Sequence, residues 1–538
     1  MNYEWVATPV KNEMLMKYWK NDKSIHSFFQ YELAQQSFED RAKYLQANTY
    51  KREQLTDTIR SFMMRYDLTE AVENNLRALK EGAFVVAGGQ QAGLLTGPLF
   101  SVYKAISVIL LAKEQQQKLQ HPVVPLFWIA GEDHDLDEIN HTFVVSNDAV
   151  QKRILGGKTN EKYMASCTIY DKVELKQFVN NVFASYGETE HTNQMLEVLY
   201  AQIEANDTYT EFFAAIMSYF FADHGLLLID AAYEPLRKLE AEFFAQLVAQ
   251  NEALAKSVVA QENALVAAGY ARPLEAKEEN ANLFYVKEGE RYLLERREAF
   301  YFNGLGAIKL TEPELLAEIE AYPERFSNNV VTRPLMQDYL FPVLAFVGGP
   351  GELAYWATLK PAFNLLNMQM PIFMPRLSMT LVDRQAQQAI QARGLTVEEV
   401  LNGEVGDKIT NFLASEQDEQ LQEAVATMEE TLLQQYAALE QQLEQKAVKL
   451  EKTVERNKKY HLQQFTYLKE KLQEDLQLKH DVTLKQYRLA EHLLLPNGKP
   501  QERMFNPFQY LNAYGPTLIE DLLTYHYEDK SRHYVVVL

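Results

Sequence analysis

The stretch FVVAGGQQAGLLTGPLFSVYKAISVILLAKE, residues 84–114, decides the fold of this chain. Its first residues are apolar and predict a buried strand, and its second half predicts a long helix that begins near Pro98. Glycines between the two let the backbone turn tightly. In open α/β sheets such a turn lies at the carboxyl end of a strand, where ligands bind. The turn matches neither the P-loop pattern nor G-x-G-x-x-G. It is therefore either an anion site at a helix N-terminus or only a tight connection.

Other apolar runs repeat this pattern, which indicates an α/β protein with a buried, mainly parallel sheet. The further predicted strands are residues 123–131, 141–146, 226–230, 343–349 and 371–375. The predicted helices are residues 193–222, 234–268 and a segment from Glu352. Alternating segments at 283–286 and 291–297, with turns at Glu288-Gly289 and Asn303-Gly304, predict a small α+β insertion beside the sheet.

The composition bounds the architecture and the compartment. The chain has 538 residues, a formal net charge of −21 and one cysteine, Cys167. This length predicts several units, and the acidity argues against nucleic acid as a partner. One cysteine excludes a disulfide framework and a thiolate metal site, and no apolar run is long enough to cross a membrane. We therefore expect a cytoplasmic protein that does not bind membranes.

We predict four regions along the chain. They are a helical wrap at 1–80, a sheet core at 81–384 with insertions near 150–190 and 270–340, a helical coiled-coil domain at 385–490, and a segment at 491–538 that returns to the core and adds an edge strand.

The coiled-coil prediction rests on an eleven-residue repeat. Apolar residues recur at this spacing from Leu421 to Leu476, and no Gly or Pro lies between Ser415 and Pro496. Eleven residues over three turns predict a nearly straight or slightly right-handed coiled coil. Ser415 and Asp418 resemble a capping box. One helix of about 65 residues would span roughly 100 Å, so its apolar stripe must pack on itself, on the core or on a second copy. No breaker marks a reversal near Arg456-Asn457.

Polar residues follow the predicted strands. GEDHDLDEINH, residues 131–141, brings Asp133, His134 and Asp135 to a strand end. The histidine suits a general base or a phosphate contact, and Asp133 or Asp135 suits orientation of its ring or Mg²⁺. The alternative is that these acids cap a helix. SNNVVTRPLMQDYLFP, residues 327–342, offers Arg333 as a bidentate grip on carboxylate or phosphate, or as the ion-pair partner of Asp338.

Two later segments show the same arrangement. FVGGPGELAYW, residues 346–356, presents backbone donors at its glycines and a carboxylate at Glu352 that suits an amine, whereas its Tyr and Trp are expected in the core. MPRLSMTLVD, residues 374–383, places Arg376 and Ser378 where a nucleotide or acyl group could be contacted, unless Arg376 lies on a surface loop. A serine without a nearby histidine makes nucleophilic catalysis a poor interpretation. Because these loops share one sheet edge, we expect a convergent pocket.

Taken together, the loops resemble the bacillithiol biosynthesis cysteine-adding enzymes, the BshC family. The matching stretches are GGQQAGLLTGPLFSVYKAI, PLFWIAGEDHDLDEINH, NNVVTRPLMQDYLFPVLAFVGGPGELAYW, MPRLSMTL and LLPNGKPQERMFNPFQYLNAYG. The resemblance implies a Rossmann-like core with connecting insertions and a coiled coil that supports a homodimer. It also implies the last step of bacillithiol synthesis, in which L-cysteine is joined to glucosaminyl-malate through an amide bond.

The resemblance also suggests roles for individual residues. The turn at Thr96-Gly97-Pro98 stands in the place of an H-x-G-H nucleotide signature and RLSMT in the place of a K-M-S-K-S loop, but the histidines and lysines of those signatures are absent. Our hypothesis assigns a carboxyl or phosphate group to Gln90, Thr96 and Gly97, and the amine and proton transfer to Asp133, His134 and Asp135. The remaining candidates bind malate, phosphate or nucleotide: Lys104, Asn329, Arg333, Gly349, Glu352, Arg376, Ser378, Asn506 and Tyr510.

ATP or ADP and Mg²⁺ are the expected cofactors, and zinc is not expected. The last two candidates, in the C-terminal tail, would belong to a second nucleotide pocket. How the cysteine carboxylate is activated stays open between an adenylate, an acyl-phosphate and another donor. Two other functions stay open as well: another nucleotide-dependent transferase, such as a nucleotidyltransferase, and a non-catalytic nucleotide-binding scaffold built around the coiled coil.

Overall fold

The computed structural model describes residues 4–9, 11–156, 162–304 and 306–538. They form two compact units. The first contains the described residues within Met1–Ser146, Val150–Leu381 and Gln501–Leu538, and the second contains Asn147–Ala149 and Val382–Pro500.

The described residues contain fifteen strands and twenty-three α-helices. The strands are β1 (Glu4–Pro9), β2 (Phe84–Gln90), β3 (Val123–Ile129), β4 (His141–Ser146), β5 (Ala149–Ile154), β6 (Leu227–Asp230), β7 (Asn280–Lys287), β8 (Glu290–Arg297), β9 (Phe300–Phe302), β10 (Lys309–Thr311), β11 (Phe326–Asn328), β12 (Val343–Gly348), β13 (Ile372–Pro375), β14 (Ser378–Val382) and β15 (Arg532–Val537). The helices are α1 (Glu13–Trp19), α2 (Lys23–His26), α3 (Gln35–Ala47), α4 (Arg52–Met63), α5 (Glu70–Glu81), α6 (Phe100–Leu119), α7 (Lys172–Tyr186), α8 (Thr192–Ala205), α9 (Tyr209–Phe221), α10 (Glu234–Ala249), α11 (Asn251–Ala267), α12 (Glu312–Ala321), α13 (Thr332–Leu340), α14 (Pro350–Trp356), α15 (Lys360–Leu365), α16 (Arg384–Arg393), α17 (Val397–Leu401), α18 (Val405–Ser415), α19 (Glu419–Gln445), α20 (Glu451–Lys479), α21 (Asp481–Leu494), α22 (Phe508–Tyr514) and α23 (Thr517–Thr524).

A parallel five-stranded sheet forms the centre of the first unit. Its strand order is β13-β12-β2-β3-β6, and all four neighbouring pairs are parallel. Numbered along the chain this is the order 3-2-1-4-5 read from the β6 edge, which is the Rossmann arrangement. β3, β6 and β12 are buried along their whole length because helices cover the sheet, with α6 against β2 and β3, and α4 against β6. The predicted Rossmann-like fold is confirmed.

The strand order creates a switch point between β2 and β12. From β2 the chain proceeds to β3 and β6 on one side, and later returns to place β12 and β13 on the other side. The connections that leave β2 and β12 therefore diverge, and a crevice opens at the carboxyl ends of these two strands. Gly89 lies at this end of β2, where a Cβ atom would overlap the carbonyl oxygen of Trp128, so only glycine fits.

Three further sheets are present among the described residues. An antiparallel sheet, β10-β9-β8-β7-β11, contains the predicted strands at 283–286 and 291–297, with Glu288 and Gly289 left-handed in the turn between β7 and β8. The predicted parallel strand at 141–146 is wrong in its partner, because β4 pairs only with β5. The C-terminal strand β15 is not an edge strand of the central sheet. It lies in the middle of a separate sheet, between β1 and β14.

Two predicted helices are each split in two. The segment 193–222 forms α8 and α9, because Thr208 and Glu211 make a capping box that starts a new helix. The segment 234–268 forms α10 and α11, which meet at Gln250.

The second unit is helical, with α16, α17 and α18 packed on α21. α19 and α20 form a hairpin instead of one helix, and the ion pairs Lys458–Glu440 and Lys469–Glu429 show that they run antiparallel. The reversal lies at residues 446–450 and not near Arg456-Asn457. Asp418, whose carboxylate accepts a hydrogen bond from the Leu421 amide, is the N-cap of α19, whereas Ser415 ends α18.

The hairpin turn depends on a strained alanine, and this predicts an unusual stabilising substitution. Ala447 has φ = 48°, which costs an L-residue about 1 kcal/mol or more. We expect Ala447→Gly to stabilise the turn by about 1 kcal/mol, measured as slower hydrogen exchange in peptides spanning the turn. The matched control is Ala438→Gly in the interior of α19, which should destabilise by about 1 kcal/mol. Faster exchange in both variants would contradict this account of the turn.

Candidate active site

A cavity of about 790 Å³ lies at the carboxyl ends of the parallel strands, at the switch point. The residues that line it come from β2, the loop after β3, the antiparallel sheet, α13, α14 and the C-terminal tail. They are Gly89, Gln90, Gln91, Phe100, Lys104, Ala130, Glu132, Asp133, His134, Glu138, Phe284, Arg291, Leu293, Asn328, Asn329, Val330, Arg333, Gly349, Gly351, Glu352, Tyr355, Arg376 and Arg503.

Lys104 joins the two sides of the switch point. Its side chain is 1% exposed, and its ammonium donates to Gly89 O at 2.7 Å, Gln90 Oε1 at 3.0 Å and Glu352 Oε2 at 2.6 Å. Burial lowers the pKa of Lys104, and the nearby Glu352 carboxylate opposes that shift. The same Glu352 oxygen accepts the Gly349 amide at 2.8 Å, which starts α14. All three ammonium donors are therefore used within the protein, so Lys104 organises the cavity and leaves no donor for a substrate.

The loop after β3 brings acids and a histidine to the cavity. Gln91 Nε2 donates to Asp133 Oδ2 and Glu138 Oε2, each at 2.7 Å. Burial opposes ionisation of Asp133, but the hydrogen bond from Gln91 and the charge of Arg291 outweigh it and hold its pKa below the ordinary value. Burial, followed by the charge of Arg291, lowers the pKa of His134. At neutral pH the loop therefore presents an ionised carboxylate beside a neutral imidazole.

Arg333 is a half-buried cation without a carboxylate partner among the described residues. Its Nη2 donates to the phenol oxygen of Tyr355 at 2.6 Å. The predicted alternative, an ion pair with Asp338, is wrong because Asp338 pairs with Arg41, which also donates to Val343 O. The charge of Arg333 is thus available to an anion in the cavity.

Arg376 also lines the cavity, but its charge is already compensated. Its guanidinium binds Glu502 bidentately at 2.7 and 3.0 Å, and both side chains are almost fully buried. Ser378 lies outside the cavity and bonds to Glu502 and His533. The alternative prediction that Arg376 lies on a surface loop is therefore wrong. Arg376 stabilises the cavity wall through its ion pair with Glu502. The contact of Ser378 with His533 could not be read from the sequence, where 155 positions separate them.

The remaining candidates have structural surroundings. Thr96 and Gly97 do not line the cavity: Thr96 is fully buried, and the amide of Gly97 donates to Leu94 O. Asp135 is exposed outside the cavity. Asn329 lies at the wall, but its Oδ1 caps α13 by accepting the amides of Val331 and Thr332.

The two tail candidates are buried away from the cavity. Asn506 donates to Thr142 Oγ1 at 2.8 Å and to Tyr186 Oη at 2.7 Å, and Tyr510 is 1% exposed. The structure thus brings nine of the predicted residues together around the cavity. They are Gln90, Lys104, Asp133, His134, Asn329, Arg333, Gly349, Glu352 and Arg376.

Sequence reasoning missed several residues of the cavity, among them Gln91, Arg291, Tyr355 and Arg503. Arg291 is the second residue of β8 and is 5% exposed, Arg503 lies in the tail, and Tyr355 was expected in the core. Trp356, its neighbour, is indeed in the core and stacks on Phe346 at 4.6 Å. The signal for Arg503 was present, since PQER belongs to a stretch that carries the family resemblance. Nothing in the alternation around Arg291 indicated that it points into a site.

The described residues contain no group of three or more His, Cys, Asp or Glu side chains that converges as a metal site. No helix in the described part of the chain combines the length and apolar character that crossing a lipid bilayer requires.

Comparison with known proteins identifies the family. The model for "Bacillithiol biosynthesis BshC, N-terminal Rossmann-like domain" matches residues 1–377, and the model for the "C-terminal coiled-coil domain" of the same family matches residues 379–538. A protein of Lysinibacillus sphaericus is 45% identical over 538 residues, and one of Geobacillus kaustophilus is 39% identical over 542 residues, each covering 100% of both chains. Both are named "Putative cysteine ligase BshC". The chain therefore belongs to the BshC family of bacillithiol biosynthesis.

Proposed function

We propose that this protein is a cysteine ligase that joins L-cysteine to the amino group of glucosaminyl-malate through an amide bond, as the last step of bacillithiol biosynthesis. One observation carries the proposal. The cavity at the Rossmann switch point holds half-buried Arg333, which has no carboxylate partner among the described residues and is opposite in charge to the carboxylates of the substrates. The relatives named "Putative cysteine ligase BshC" support a cysteine ligase.

The charges of the cavity suit both ends of an amino-sugar malate. Asp133 and Glu138, joined through Gln91, attract an amino group and can accept its proton. Arg333 and Arg503 suit the malate carboxylates, because the guanidinium fork matches a carboxylate.

The cysteine carboxylate must be activated, because a free carboxylate is a poor electrophile. ATP with Mg²⁺ would supply the phosphoryl or adenylyl group that lets a carboxylate oxygen leave. The cavity does not fit a metal site of its own, because Asp133 and Glu138 already share the Gln91 amide and face the amine, and the described residues contain no converging group of three or more His, Cys, Asp or Glu side chains. Mg²⁺ would therefore enter with the nucleotide phosphates. ATP and Mg²⁺ remain proposals, as does the absence of zinc.

The proposal is tested by incubating the purified full-length protein with L-cysteine, glucosaminyl-malate, ATP and Mg²⁺ and following bacillithiol by mass spectrometry. We expect product only when both substrates are present. Leaving out ATP, or replacing it with a cell lysate, identifies the activating donor. No product under any of these conditions, together with nucleotide transfer to another acceptor, would favour a nucleotidyltransferase.

Arg333→Met should weaken the use of glucosaminyl-malate. Loss of a hydrogen bond to a charged group costs about 1.5–3 kcal/mol, so we expect kcat/KM to fall at least about tenfold. The matched control is Arg77→Met, on the exposed surface of α5, which should leave kcat/KM unchanged. Equal kinetics for Arg333→Met and wild type would remove Arg333 from the site.

Arg376→Met should act mainly on stability. The substitution leaves Glu502 buried without its cation, which costs roughly 3–5 kcal/mol. Urea denaturation should show this loss, and the double variant Arg376→Met/Glu502→Leu should recover part of it. A variant with unchanged stability and a raised KM would instead return Arg376 to the role of substrate ligand.

We further propose that the protein is cytoplasmic, and that the hairpin of α19 and α20 mediates a homodimer. Large apolar side chains remain exposed on the hairpin, among them Met428 at 57%, Leu439 at 42% and Leu450 at 49%. Such exposed apolar surface is typical of protein interfaces. Light scattering of Met428→Glu, which should shift the mass toward a monomer, tests the dimer.

A further inference from the structure

Arg291 is held in one orientation by several contacts. Its Nε donates to Ser327 Oγ at 2.8 Å, its Nη2 donates to Asn328 O at 2.7 Å, and its guanidinium lies 3.6 Å from the ring centre of Phe284. Because three independent contacts fix the guanidinium plane, the direction of the remaining Nη1 donor is also fixed. Nη1 lies 3.3 Å from His134 Nδ1 and 3.9 Å from Asp133 Oδ1, so one of its two N–H groups faces the imidazole.

This contact determines which nitrogen of His134 carries the proton. A guanidinium has only N–H donors and cannot accept a hydrogen bond. Nδ1 of His134 must therefore be the acceptor, and in a neutral imidazole the proton then resides on Nε2. None of the described residues accepts a hydrogen bond from Nε2, and His134 lines the cavity.

The other charges around the ring do not remove this preference. Arg291 and Lys162 disfavour the imidazolium, whereas Asp133 and Asp135 favour it. Burial is the largest influence and acts with the two cations, so the pKa of His134 lies below its ordinary value. A proton on Nδ1 would moreover bring two N–H groups face to face.

We propose that Arg291 is a positioning residue that locks His134 as the Nε2–H tautomer, so that His134 donates a hydrogen bond into the cavity and is not the general base. The identity of the group that accepts the hydrogen bond from His134 Nε2 rests on the proposed function. When the amine nitrogen bonds to the carbonyl carbon of the activated cysteine, the carbonyl oxygen gains negative charge, and the Nε2–H is the donor that stabilises it. The adduct then collapses as the C–O bond to the activating phosphate or nucleotide breaks, and that group leaves with the oxygen and both electrons of the bond. The proton released by the amine goes to a carboxylate of the loop after β3. A neutral imidazole is a suitable donor to a developing oxyanion.

The tautomer can be observed without any activity. Full-length protein with ¹⁵N-labelled histidine is studied by solid-state NMR at about pH 7.5, and the signals that vanish in His134→Gln belong to His134. We expect a protonated Nε2 and an unprotonated Nδ1. A protonated Nδ1 would overturn the proposal. Because no substrate is needed, this result stands even if the ligase assay fails.

Kinetics test the consequence for catalysis. At about pH 7.5, the spectrum of Arg291→Met should show part of the His134 signal with a protonated Nδ1, because no N–H donor then faces that nitrogen. The kcat of this variant should fall in proportion to the fraction of His134 that has left the Nε2–H form. Arg291→Lys, which keeps a donor and a charge, should restore part of both losses. A fall in kcat with the tautomer of His134 unchanged would indicate a purely structural role.

The substitution of His134 itself separates donor from base. Glutamine keeps an N–H donor but has no useful basicity, whereas alanine has neither. We expect His134→Gln to retain at least about ten times the kcat of His134→Ala. Equal inactivity of the two variants, with folding verified by circular dichroism, would contradict the donor role and restore His134 as the base.

Discussion

The ion pair between Lys104 and Glu352 is the interaction on which the cavity depends. A lysine that is almost fully buried must find acceptors for all three of its N–H bonds, and here they come from both sides of the switch point. Two acceptors lie at the end of β2, and the third begins α14, after β12. The pair thus fixes the distance between the connections that leave β2 and β12. It also holds Gln90 and Gly349 in the lining of the cavity.

The partner of each charged side chain in the cavity indicates whether that side chain supports the walls or binds a ligand. Lys104, Arg376 and Glu132 each bind an oppositely charged side chain, with Glu132 held by buried Arg237. Their charges are compensated within the protein and shape the walls. Arg333 is bonded to a phenol instead, and so keeps its charge for a ligand. Among the cations that line the cavity, those that already have a carboxylate partner support its walls. A cation without such a partner can bind a ligand.

Much of the fold could be predicted from the sequence because its signals are local. Apolar runs mark β2, β3, β6, β12 and β13, and the acidic loop and Arg333 follow from their positions beside those runs. The order of the strands could not be predicted, because an apolar run does not indicate which strands pair with it. The hairpin reversal was hidden because Ala447 adopts a left-handed conformation that usually belongs to glycine. Arg291 was hidden because its contacts with His134 and Asn328 join distant segments. Thr96 and Gly97, the predicted anion site, lie outside the cavity because the turn is packed into the core, where the amide of Gly97 donates to Leu94 O.

The most direct test of the central claim, that the switch-point cavity is the substrate site, is a crystal structure of the full-length protein with glucosaminyl-malate. We predict density in the cavity with a malate carboxylate on Arg333 and the amino group toward Asp133. Density for the ligand elsewhere, with the cavity between Lys104 and Arg333 unchanged, would contradict the account.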